Sequence, residues 1–153
     1  MTDTKVALRA ARPSDLPVVE TLLAAAELTR AGLADAFADF IVAEQGGGIV
    51  GAAGMERFGD YGLLRSVVVA PAARDSGIGA LMVRALTDAS RDRGVRELWL
   101  LTTTADRYFP RFGFAVAERS AVPAPLLQSI EFRGACPATA VVMRRSLADR
   151  EAC

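Results

Sequence analysis

Arg74, Gly77 and Gly79 lie where an apolar, β-branched run, Leu63 to Val69, gives way to an amphipathic run that begins at Ile78. That setting points to anion binding. The first run reads as a buried strand, and Pro71 ends it. The second places Ile78, Leu81, Met82, Ala85, Leu86 and Ala89 on one helical stripe. A helix start leaves backbone N–H groups without partners and carries the positive end of the helix dipole, so it suits a phosphate. Glycines let an anion approach the backbone, and Arg74 adds a charge beside it. A second pair with chemical potential is Glu56 and Arg65. If the turn between them is symmetric about Asp60-Tyr61, the two charges face each other across a hairpin. They could be an ion pair that satisfies its own members, or an acid and a cation lining a pocket for a second substrate.

Absent residue types narrow the chemistry. The chain has no histidine, which removes Ser-His and Cys-His catalysis and His-based metal sites. Two cysteines, Cys136 and Cys153, are too few for a structural zinc cluster. Nothing near Cys136 in sequence would lower its pKa, so it is left out of the catalytic set. Lys5 is the only lysine. Proton transfer therefore falls to carboxylates, tyrosine or water, and Glu56 is the leading base. The glycine turn lacks Gly-Lys-Ser/Thr and the first glycine of Gly-x-Gly-x-x-Gly, which excludes Walker-type and dinucleotide-binding loops.

The elements that must position these residues follow from periodicity. Val6 to Ala11 reads as a short strand stopped by Arg12-Pro13, with Ser14 or Asp15 capping a helix through Leu16, Val19, Leu22 and Leu23. Leu33 to Ala38 suggests a second short helix. Phe40 to Glu44 and Ile49 to Met55 flank Gln45-Gly46-Gly47-Gly48, a hairpin signal, and Gly51 and Gly54 suggest a bulge or a close backbone approach. Gly94 stops the central helix, and Leu98 to Thr102 is the next strand. Strand, crossover helix and strand imply a parallel pair in a right-handed unit. Ala105, Tyr108, Phe109 and Phe112 share one helical face, although Pro110 makes that helix short or irregular. Strands over Phe114 to Glu118 and Thr139 to Met143 complete the sheet.

Arg74-x-x-Gly77-x-Gly79 after a strand and before a long helix resembles the pyrophosphate loop of the GNAT acyl-CoA transferase superfamily. Ala105-x-x-Tyr108-Phe109-x-x-x-Gly113-Phe114 resembles its second signature, and Arg9-x-x-Arg12-Pro-x-Asp15-Leu its usual opening. The resemblance covers roughly residues 6 to 145. Shorter strings, among them Leu63-Leu-Arg-Ser66 and Cys136-Pro-x-Thr139-Ala140-x-x-Met143, look most like the small arsenic-resistance N-acetyltransferase branch, itself close to N-acetylglutamate-synthase-like sequences. The resemblance implies an α/β GNAT fold: a mixed, mostly antiparallel sheet with a parallel pair splayed for the cofactor and helices on both faces. It implies acetyl-CoA held at Arg74, Asp75, Ser76, Gly77, Ile78, Gly79 and Ala80. Further contacts fall on Val67, Val68 and Val69, on Thr103 and Ala105, and on Phe109. Many family members carry a tyrosine four residues before the glycine of the Gly-Phe turn, as general acid. Here that position is Phe109, and Tyr108 beside it is the alternative, although one helical step turns a side chain by about 100°. Arg65 is the candidate for gripping an acceptor carboxylate.

Length and composition suit one domain, residues 1–153. Eighteen basic residues balance eighteen acidic ones, so no electrostatic case exists for nucleic acid or an anionic membrane. No apolar run approaches a membrane span, and the Met1-Thr-Asp-Thr-Lys5 start is too polar for a signal peptide, so the cytoplasm is the expected location. The expected activity is acetyl transfer from acetyl-CoA to the primary amine of a small, amino-acid-like molecule. Acetylation of a protein N-terminus or lysine, or a non-catalytic acyl-CoA sensor, are the alternatives. A homodimer is expected if an apolar C-terminal strand forms a sheet edge.

Overall fold

The computed structural model of the chain describes residues 5–136 and 139–147. Pro137 and Cys153 fall outside them. The described strands are β1 (Ala7–Ala10), β2 (Phe40–Gln45), β3 (Gly48–Phe58), β4 (Tyr61–Val69), β5 (Glu97–Thr102), β6 (Ala115–Ala117) and β7 (Val141–Ser146). Their order in the sheet is β1-β2-β3-β4-β5-β7-β6. Pairing is parallel between β4 and β5 and antiparallel for β1 with β2, β2 with β3, β5 with β7 and β6 with β7. The helices are α1 (Leu16–Ala25), α2 (Leu33–Ala36) and α3 (Ile78–Asp92). The chain divides into two compact units. One comprises residues up to Met55 with Ser66–Leu86, the other Glu56–Arg65 with residues from Thr87 onward.

In the first unit, α1 buries Val19 and Leu23 in a cluster with Leu33, Phe37, Phe40, Val42, Ala52 and Val68. Successive strand residues face opposite sides, so Gly51, next to Ala52, looks the other way. A Cβ built there would lie 3.0 Å from Met82 and 3.4 Å from Ile78 of α3. Helices α1 and α3 thus cover opposite faces. Both glycines expected to mark close approach do so, since a Cβ at Gly54 would enter the Phe40 ring, 2.5 Å from two of its carbons. The expected bulge lies beside Gly51, where the β2–β3 register shifts between Ala43 and Glu44. The hairpin turns at Gly46 and Gly47, both at positive φ, as a two-residue turn matched to strand twist requires.

Two expectations for this unit are corrected. Asp15 makes no cap bond to α1. Its carboxylate instead accepts the Arg12 N–H at 2.7 Å and two bonds from Arg9 at 2.8 and 3.1 Å, while Arg9 also reaches Glu44 at 3.1 Å. The Arg9, Arg12 and Asp15 string is therefore a lock between strand and helix, and Arg9 holds the Asp15 carboxyl down to about 2. The buried face of α3 is also rotated from the expected stripe. In the stretch belonging to this unit, Ile78, Met82, Val83 and Leu86 are buried, whereas Leu81 is 46% exposed.

In the second unit, Leu63, Trp99, Val122, Leu126 and Val142 form the core, with Phe58, Tyr61, Leu101 and Phe132 packed against it. The parallel register pairs Tyr61 with Glu97, Gly62 with Leu98 and Leu63 with Trp99. Gly94, at φ 84°, turns the chain after α3. The aromatic segment is irregular, as Pro110 demands. Tyr108 and Phe109 N–H groups reach back to Ala105 C=O, and a short 3-10 turn covers Phe109–Phe112. The last strand begins later than expected and is not an edge. Strand β7 pairs with β5 on one side and β6 on the other, leaving the three-residue β6 at the rim. The premise that the C-terminal strand offers a dimer edge is thereby removed.

Candidate active site

In the first unit, the chain leaves β4, makes a 3-10 turn over Pro71–Ala73 and enters α3. Asp75 and Gly77 have φ of 67° and 84°, so two left-handed residues bring the chain round to the helix start. Glycine carries the second at no steric cost, and Asp is among the few other residues that tolerate the region. The Ser76 hydroxyl donates to Ala73 C=O, and Arg74 Nε donates to Val69 C=O at 3.1 Å. The first bond closes the turn on itself, and the second holds it to the strand end. The first bond into α3 runs from Leu81 N–H to Gly77 C=O, so the amides of Ile78, Gly79 and Ala80 lie in the turn that has no intrahelical acceptor. Arg74, Asp75, Ser76 and Gly77 are exposed, whereas Ile78 and Gly79 are buried. A Cβ added at Gly77 would meet nothing within 4 Å. The glycine is thus not there to fit the protein's own packing. It leaves open a patch of backbone that a phosphate can approach.

The strand leading to this turn holds a feature that periodicity did not reveal. Ser66 has φ 59°, a left-handed residue inside β4. A non-glycine residue there costs of order 1 kcal/mol, and such strain concentrates where backbone is re-aimed for function. It falls just before Val67–Val69, the segment where further cofactor contacts are expected. No glycine marks the position, and no signal in the sequence distinguished it.

In the second unit, Glu56 and Arg65 do meet, with Glu56 Oε2 3.7 Å from Arg65 Nη1. The turn between them is the residue pair Gly59 and Asp60, one position earlier than the symmetry centre taken from sequence. Arg65 has a second acidic partner, Glu131 Oε2, 3.6 Å from Nε. The guanidinium side chain is 0% exposed, Glu131 is 5% and Glu56 is 17%. Burial pushes the Glu131 carboxyl up to about 7, with the Arg65 charge opposing the rise and Glu56 adding to it. Nothing in sequence marked Glu131. It lies in an irregular turn, Glu131–Ala135, 66 residues from its partner, and only the fold brings the two together. Burial also pushes the Cys136 thiol up to about 11, which makes it a poor nucleophile.

Of the remaining expected residues, Thr103 is exposed and Ala105 half-buried. The Thr102 hydroxyl accepts the Ala105 N–H at 2.9 Å, which shapes the turn leaving β5. Phe109 is buried, with edge contacts to Tyr108 and Phe114 at centroid distances of 5.2 and 5.9 Å. Tyr108 is half-buried beneath Arg111, whose guanidinium carbon sits 4.6 Å from the ring centroid. Arg145 pins this segment by donating to Phe112 C=O at 2.9 Å. Among the described residues, no group of three or more His, Cys, Asp or Glu could hold a metal ion, and no helix is long and apolar enough to cross a membrane.

Residues 36–116 match the family model for the acetyltransferase (GNAT) domain. The amino-acid acetyltransferase of Mycobacterium tuberculosis is 30% identical over 84% of this chain and 79% of its own length. That of Neisseria meningitidis is 27% identical over 77% of this chain, which spans only 29% of that longer relative. Among solved structures, a Mycobacterium tuberculosis protein crystallised in complex with CoA superposes with a TM-score of 0.76 at 26% identity. The match covers 92% of this chain and 99% of that one. The family model takes in the β2–β3 hairpin, β4, the glycine turn, α3 and the aromatic turn, and on that ground this chain belongs to the GNAT acetyltransferase family.

Proposed function

We propose that the chain is a single acetyltransferase domain that moves an acetyl group from acetyl-CoA to the primary amine of a small, amino-acid-like molecule. The observation that carries this reading is the glycine turn at the start of α3, with exposed left-handed backbone and open space above Gly77. Two features support the cofactor and the acceptor class: a relative was crystallised with CoA, and curated relatives are amino-acid acetyltransferases.

The cofactor, when bound, supplies the acetyl group as a thioester. The chain's own residues hold the cofactor, steady the carbonyl oxygen and take the amine proton. The amides of Gly77 to Ala80, with Arg74, Asp75 and Ser76 shaping the turn, hold the pyrophosphate. Val67, Val68 and Val69 offer main-chain groups to the pantetheine arm, and one of their N–H groups can steady the carbonyl oxygen as charge develops. Thr103, Ala105 and Phe109 complete the cofactor contacts. Glu56 takes the amine proton, directly or through water. An α-amino group near pKa 7.7–8.0 is already partly neutral at physiological pH, whereas a lysine amine near 10.4 is not. The modest base therefore fits an amino-acid acceptor better than a lysine. Gripping an acceptor carboxylate with Arg65 would require displacing one of its two acids. The 0% exposure of its side chain favours a role as support for Glu56.

Phe109 in place of the family tyrosine favours a second reading, a non-catalytic acyl-CoA sensor. The energetics still permit turnover. A thiol pKa of about 8.5 leaves the thiolate only ~1.5 units uphill at neutral pH, roughly 2 kcal/mol. Incubation with acetyl-CoA and a panel of amines, read by mass shift, separates the readings. Acetylated amino acids support the enzyme, and CoA binding without any product supports the sensor. Phe109→Tyr should raise the rate or leave it unchanged. Tyr108→Phe should stay within a fewfold of the parent, because Tyr108 packs against Phe109, Phe112 and Arg111. A loss near the ~10²–10⁴ of a missing general acid would instead make Tyr108 catalytic.

A cytoplasmic location and a homodimer remain part of the proposal. For the homodimer the surface on offer is the β6 rim, where Val116 is 69% exposed. Light scattering showing only monomer across the micromolar range would remove it.

A further inference from the structure

The mechanism above leaves the buried acid beside Arg65 unused. We propose that Glu131 is a positioning residue for acetyl transfer, one that holds Arg65 against Glu56 and sets how readily Glu56 takes a proton. The inference rests on the reading of Glu56 as the base.

One guanidinium cannot neutralise two carboxylates, and here the two occupy different nitrogens of the same buried cation. With both acids ionised the cluster would carry a net negative charge away from water, which burial opposes. The proton belongs on the acid with less support for its charge. Glu131 is the more buried of the two, 5% exposed against 17% for Glu56. Its carboxyl is correspondingly raised to about 7. Among the described residues, the charged and titratable groups acting on it are Arg65 from β4, Glu56 from β3 and Cys136 on its own loop, the last a neutral thiol. While Glu131 is protonated, the full Arg65 charge serves Glu56 and keeps it a carboxylate. Once Glu131 ionises, it competes for Arg65 and adds a like charge, so Glu56 binds its proton more tightly. The two acids therefore titrate as a coupled pair through one cation.

Stability carries the same signature. A carboxyl raised in the folded state binds more protons folded than unfolded between the usual ~4.5 and about 7. Stability then falls as pH rises through that window, and the penalty is complete above it. Glu131→Gln keeps the shape of the side chain and removes the titration. Its melting temperature relative to the parent should rise between about pH 5 and pH 8.

The test follows carboxyl resonances in carbon-13 glutamate-labelled protein across pH, for the parent and Glu131→Gln, beside pH profiles of kcat/KM for amine acetylation. In the parent, Glu56 should show a second inflection near pH 7, mirrored in the rate profile. Both should vanish in Glu131→Gln while the fold persists. A Glu56 titration curve identical in parent and variant overturns the proposal, as does a variant that only lowers melting temperature at every pH. Should Glu131→Gln fail to fold, the parent decides alone, since a Glu131 resonance with a single ordinary acid midpoint overturns the coupling. A parent that acetylates no amine would sink the acetyl-transfer reading, and the carboxyl titration would still decide whether Glu131 controls Glu56.

Discussion

Gly77→Val should abolish the thermal protection that acetyl-CoA gives the parent. Two effects act together. A β-branched residue at φ 84° is strained, at a cost of order 1–2 kcal/mol. Its side chain would also occupy the open space over the helix start, where the protein itself places nothing within 4 Å. Each charge-assisted bond from backbone to phosphate is worth about 1.5–3 kcal/mol. Losing two of them would weaken binding by upwards of ~100-fold. Gly77→Asn separates the effects, because asparagine tolerates left-handed backbone but still adds a Cβ. It should melt close to the parent and yet lose the cofactor shift. If either variant binds acetyl-CoA as tightly as the parent, the pyrophosphate does not sit on this turn.

Glu56→Gln should lower kcat by something like ~10²–10⁴, the usual cost of losing a general base, and leave acetyl-CoA affinity intact. The rival account is that Glu56 serves only as a partner for Arg65. In that case the variant loses stability and keeps its rate. The structure makes the stability loss modest, because Arg65 retains Glu131 at 3.6 Å and is not left as a lone buried charge. A large fall in kcat with a small change in melting temperature therefore identifies chemistry. Full activity in Glu56→Gln would end the catalytic proposal.

What the amino-acid order determined by itself is what depends on neighbours in the chain. The glycine turn, the helix behind it, the Gly46-Gly47 hairpin and the irregular aromatic turn around Pro110 follow from local backbone preferences, and each formed where periodicity and turn residues placed it. Absences were equally legible. A chain without histidine excludes whole classes of chemistry before any fold is known. Tertiary structure decided whatever depends on which surfaces become covered. Leu81 belongs to the apolar stripe by spacing, yet is left exposed. Asp15 has the chemistry of a helix cap, but a nearby guanidinium offered its carboxylate stronger bonds than the helix start could. Strand β7 lies inside the sheet because β6 adds to its far side, a pairing no local pattern encodes. Glu131 reaches Arg65 only because a loop distant in sequence folds over β4 in the same unit. An isolated acid between apolar residues looks like any solvated charge until burial and a partner give it a raised pKa, and both of those are properties of the fold.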